Sequence, residues 1–107
     1  MKLIIGIINY DDANAVTRAL SQGGFSSTRL RTTGGFLMAG NVTMLVGVEE
    51  DKVQQVIDII RAHSHSRKEM IPGSADVSGN FFPTMPVEVS VGGATIFVVD
   101  VERFERA

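Results

Sequence analysis

The chain has no cysteine and no tryptophan, a single tyrosine and three prolines. Without cysteine there are no disulfides, no thiolate metal sites and no thiol nucleophile, and the composition fits a reducing compartment, so a cytoplasmic location is expected. No apolar run approaches the roughly 18 residues of a membrane span. The opening MKLIIGIINY has neither the length nor the cleavage site of a signal peptide and reads as a strand. Nothing resembles a basic amphipathic helix, so no membrane partner is expected. An excess of positive charge is missing too. Ten Lys and Arg stand against twelve Asp and Glu, a formal net charge of −2, and no positive field exists to gather a nucleic acid.

What is present is enough apolar material for a core. Of the 107 residues 44% are hydrophobic and 21% charged, the length of one domain, since domains commonly run to about 100–150 residues. Residues 2–9 are apolar at almost every position, as in a strand covered on at least one face. Asp11 or Asp12 can then cap a helix in which Ala13, Val16, Ala19 and Leu20 recur at helical spacing before the stop at Gly23 and Gly24. From Phe25 to Thr33 the chain alternates, with Ser26, Thr28 and Leu30 on one face and Ser27, Arg29 and Arg31 on the other. Val42, Met44, Val46 and Val48 mark a third strand. After Asp51, the residues Val53, Val56, Ile57 and Ile60 form one helical stripe that ends near His63.

Residues 64–85 lack periodicity and contain Pro72, Gly73, Gly79 and Pro83, so a long loop is expected there. Val87, Val89 and Val91 then alternate with Glu88 and Ser90. Gly92-Gly93 suits a two-residue turn, and residues 94–101 are expected to return as the second strand of a hairpin. The order predicts an α+β fold, a ferredoxin-like βαββαβ sandwich with an extra C-terminal strand and both helices on one face of an antiparallel sheet. Two helices cover one sheet face only, so self-association is expected to cover the other.

The segment from Thr32 to Asn41 sets Phe36, Leu37 and Met38 between glycines, where a connecting loop is ordinarily polar. Glycine admits backbone N–H groups close to a ligand, Phe36 offers a stacking face, and Thr32, Thr33 and Asn41 offer neutral hydrogen-bonding groups. The set suits a planar ligand with a polar edge. A plug at a subunit contact fits the same residues. The phosphate-loop, dinucleotide and nucleophile-elbow fingerprints are absent. Asp76 and Glu88 form no acid–base pair, and His63 and His65 lack a third ligand, so neither catalysis nor a metal or other cofactor is expected. Residues 71–76 and the pair Phe81-Phe82 suit either a lid or an apolar anchor.

The start MKLIIGI, the run Thr28-x-Leu30-x-Thr32-Thr33-Gly34-Gly35-Phe36-Leu37-x-Ala39-Gly40-Asn41 and the ending Pro86-Val-Glu-Val-x-Val-Gly-Gly-Ala-Thr95-x-Phe97-Val98 resemble the PII-like cyclic-di-AMP receptor proteins, relatives of the nitrogen-regulatory PII proteins. The resemblance implies a ferredoxin-like homotrimer that binds cyclic di-AMP between subunits without catalysis. It implies a pocket lined by Thr28, Gly35, Phe36, Leu37, Asn41 and Gly47, with Phe97 contributed across the subunit boundary. Ligand binding would reshape the long loops, to be read by a protein partner. Gly24 and Ser26 depart from the family's binders, which carry Asn and Arg there. A related adenine nucleotide in place of cyclic di-AMP fits the same sensor reading, and the alternative is a structural or protein-interaction trimer of the same fold that has lost cyclic di-AMP.

Overall fold

In a computed structural model, residues 1–30, 40–64, 66–71 and 87–107 are described. The first strand, β1 (Lys2–Asn9), buries Ile4, Gly6 and Ile8 on one face and half-buries Leu3, Ile5 and Ile7 on the other. It runs without a turn into helix α1 (Tyr10–Gln22), so the cap falls earlier than the acidic pair. The Asn9 side chain accepts from the Asp11 N–H at 2.8 Å, while Asp11 and Asp12 sit in the first turn, where carboxylates suit the helix dipole.

Helix α1 stops as its glycine pair suggests. The Gly24 N–H donates to the Ser21 carbonyl at 3.0 Å and the Phe25 N–H to the Leu20 carbonyl at 2.9 Å. With Gly24 at φ 86°, this is the Schellman arrangement, in which a left-handed residue satisfies the last carbonyls of the helix. Phe25 is thereby used in the helix stop and packs against the core. The strand expected from Phe25 therefore begins only at Thr28, as β2 (Thr28–Leu30); its expected continuation to Thr33 lies outside the described residues.

Strand β3 (Asn41–Val48) buries Val42, Met44, Val46 and Val48, the alternation its sequence predicts. A 3-10 turn over Glu50–Lys52 leads into helix α2 (Val53–His63), which buries Val56 and Ile60. These residues join Ile4, Ile8, Ala13, Val16 and Leu20 in one core, so both helices pack on the same sheet face.

The remaining strands are β4 (Arg67–Ile71), β5 (Val87–Val91) and β6 (Ala94–Asp100). The main sheet has the order β2-β3-β1-β6 with every neighbouring pair antiparallel, which is the ferredoxin-like α+β arrangement. Two expectations are corrected. Part of the stretch expected as loop is strand β4, which pairs with β5 in a separate two-stranded sheet. The hairpin between residues 87–91 and 94–101 does not form, because β5 pairs with β4 and β6 with β1. Gly92 and Gly93, at φ 79° and 83°, carry the chain from one sheet to the other. Two alternating strands joined by two glycines satisfy the local hairpin rule, but the free edge of β1 takes β6 instead.

Candidate functional site

Directly opposed residues of antiparallel strands share a sheet face. On the face away from the helices, Thr28, Leu45, Ile5 and Phe97 form one row across all four strands. Leu30, Thr43, Ile7 and Thr95 form a second row, and Gly47, Leu3 and Val99 a third. This face is largely apolar and no described element packs over it; Leu30, Phe97 and Val99 are each 40–45% exposed. Left in water, such a contiguous patch is unfavourable, and it is the kind of surface that proteins bury by association.

At the β2–β3 end of this face lies a cleft of about 400 Å³ bounded by Met1, Ser26, Thr28, Leu45, Gly47 and Phe104. Its rim carries two hydroxyls and its walls are apolar. Gly47 is exposed, its backbone lies outside the left-handed region, and a Cβ added to it would meet nothing within 4 Å. Neither backbone conformation nor packing within the subunit demands glycine at this position. What glycine does supply is a bare backbone at the cleft, open to close approach by another molecule.

Of the residues expected to line a pocket, the structure therefore gathers Thr28 and Gly47. Phe97 lies at the opposite edge of the Thr28 row, three strand spacings or about 14 Å away. Asn41 opens β3 four residues before Leu45, about 13 Å along the strand, and borders a different cleft of about 600 Å³ with Tyr10, Asn14 and Arg29. Arg29 is on the helix side, where its Nη1 donates to Asn14 Oδ1 at 2.9 Å, so it does not replace a cation at Ser26. Gly35, Phe36 and Leu37 lie outside the described residues, as do the proposed lid residues 72–76 and Phe81-Phe82. Phe104 also borders the cleft of Thr28 and Gly47; it follows the last strand and belongs to no periodic pattern, so nothing in the sequence marks it.

His63 is the last residue of α2, and His65 lies outside the described residues. Among the described residues no three His, Asp or Glu side chains come together as a metal site. Lys2 and Asp100 pair across β1 and β6. The hydrogen bond between them raises the Lys2 pKa and lowers that of Asp100.

The sequence model of the cyclic-di-AMP receptors matches residues 1–107. The chain belongs to the cyclic-di-AMP receptor family. A solved structure described as that of a functionally unknown protein from Pediococcus pentosaceus ATCC 25745 is similar to it, with 40% identity and a TM-score of 0.75, covering 99% of this chain and 96% of that one. Membership in a cyclic-di-AMP receptor family supports nucleotide binding in signalling as the role of this chain. Among the described residues, no helix of this receptor-family protein is long and apolar enough to cross a membrane.

Proposed function

We propose that this protein is a cytoplasmic sensor that binds cyclic di-AMP, or a related adenine nucleotide, at junctions between the subunits of a homotrimer. Binding is passed on through rearrangement of the segment between α2 and β5 to a protein partner, without catalysis or a cofactor. The supporting observation is the placement of Thr28 and Phe97 at opposite edges of one row. Within a subunit they are too far apart to hold one base. They meet if the β2 edge of one copy lies beside the β6 edge of the next, a head-to-tail contact that closes into a ring.

Each junction then combines the Gly47 cleft of one copy with Phe97 of its neighbour, and the uncovered apolar face turns inward. Phe36 or Phe97 would pack on one base of the ligand and Asn41, about 13 Å along β3 from the Thr28 row, would read the edge of its second base, with Gly35 and Leu37 completing the pocket through backbone and apolar contact.

The alternative is a structural or protein-interaction trimer of the same fold that has lost cyclic di-AMP. Ser26 favours it, since this cleft residue offers a hydroxyl where the family resemblance implies an Arg. Gly24 does not, because its left-handed backbone is the conformation that both Gly and Asn adopt at a helix stop. Calorimetric titration with cyclic di-AMP, with ATP and cyclic di-GMP as controls, separates the two. Saturation near one ligand per subunit is expected of a sensor. No heat and no thermal shift with any of the three would leave the structural trimer.

A further inference from the structure

We propose that Phe104, in the C-terminal tail, is an aromatic wall of the nucleotide cleft and stacks on a purine base. The inference rests on the function proposed above and adds to it a ligand-contacting residue that the resemblance does not assign.

The tail is tied down at its root, where the Val101 N–H donates to the Met1 carbonyl at 3.2 Å. Further on, the Arg103 guanidinium bonds the Glu105 carboxylate, with the Nε contact at 3.1 Å. Phe104, between them in the chain, borders the cleft with Ser26, Thr28 and Gly47. Phe104 is nonetheless 66% exposed, the most exposed of the large apolar side chains described. Its ring touches the cleft without being buried by the subunit, so an occupant would gain a face that the fold itself does not use. Base–aromatic stacking needs only an accessible π-face, and polar groups beside it can fix the base edge. The hydroxyls of Ser26 and Thr28 are on the same rim.

The chain contains no tryptophan, so F104W introduces a single reporter at this position. Titrated with cyclic di-AMP, F104W is expected to lose fluorescence saturably, with the midpoint that calorimetry gives for the same variant. F104A is expected to bind about tenfold more weakly, with the mass by light scattering and the melting temperature unchanged. Wild-type affinity in F104A, an F104W signal indifferent to ligand, or a change in mass in place of affinity would overturn the proposal, the last by making Phe104 a subunit contact. If the wild-type protein itself binds no nucleotide, the proposed function fails and this inference falls with it. Binding by wild type with no effect of either variant refutes the role of Phe104 alone.

Discussion

Thr28 and Phe97 stand at the two edges of the same cross-strand row, with Leu45 and Ile5 between them. One residue is a small hydroxyl beside a cleft, the other an aromatic ring left 45% exposed, and no movement inside a four-stranded sheet brings them together. On the proposed function, their cooperation on one ligand would require a second copy of the chain, so that assembly and binding can be tested separately.

At Gly47 the fold and the proposed ligand contact can be tested apart. A side chain there meets nothing within the subunit, and glycine inside a strand costs roughly 0.5–1 kcal/mol relative to alanine. Gly47→Val is expected to keep the fold, with stability unchanged or raised by up to about 1 kcal/mol in urea denaturation, and to abolish cyclic-di-AMP binding. Wild-type affinity in this variant would remove Gly47 from the site.

The departures at positions 24 and 26 have opposite consequences. Gly24 sits at φ 86° with open space around it, so Gly24→Ala is expected to cost about 1 kcal/mol through strain alone, and Gly24→Asn less. Ser26 borders the cleft, and Ser26→Arg adds a charge-assisted contact to a ligand phosphate, a kind of bond that contributes about 1.5–3 kcal/mol. A gain in affinity of tenfold or more is expected by calorimetry. No gain would mean that the phosphates lie elsewhere.

The core carries ordinary packing energetics. Leu20 is fully buried between α1 and the sheet, and Leu20→Ala is expected to destabilise the protein by about 2–5 kcal/mol, measured from the shift in denaturation midpoint. A loss below about 1 kcal/mol would contradict the packing described.

The Lys2–Asp100 pair ties stability to pH at both extremes. Asp100 is held below the ordinary carboxylate value by the bond from Lys2, so its contribution is present above that ordinary value and is lost as pH falls through the lowered one. Lys2 is raised by the same bond, so its contribution is present below the ordinary lysine value and is lost as pH rises through the raised one. Asp100 is solvent-exposed and Lys2 only half-buried, which keeps the effect small. In denaturation across pH, the stability difference between wild type and Asp100→Asn is expected to be largest near neutrality and to shrink at both ends. A difference independent of pH would exclude the ion pair as its source.

The parts of the fold legible in the sequence are those with one face against the helices. The alternation of Val42, Met44, Val46 and Val48 and the stripe through Val56 and Ile60 follow directly from burial on one side. Pairing partners were not legible. Val87–Val91 and Ala94–Asp100 look like a hairpin locally, yet alternation names a face and not a neighbour. Strand β4, with the sequence RKEMI, escaped notice because three of its five residues are charged and its length is short.

Thr28 and Gly47, both implied by the resemblance, border one cleft, although Gly47 lies outside the run from Thr28 to Asn41 that carries it. Phe97 came from the resemblance, but its distance from Thr28 within the subunit follows only from the sheet order. Phe104 had no periodic context to mark it, and only the return of the tail to Met1 places it beside the cleft.

The most direct test of a site shared between copies is complementation between two defective variants. Gly47→Val damages the β3 side of a junction and Phe97→Ala the β6 side, so neither variant alone is expected to bind cyclic di-AMP. Refolded together at equal amounts, random head-to-tail assembly restores about one junction in four with both sides intact. Calorimetry of the mixture is expected to recover that fraction of wild-type stoichiometry at wild-type affinity. A mixture as silent as its two components would place the site within one subunit and contradict the junction.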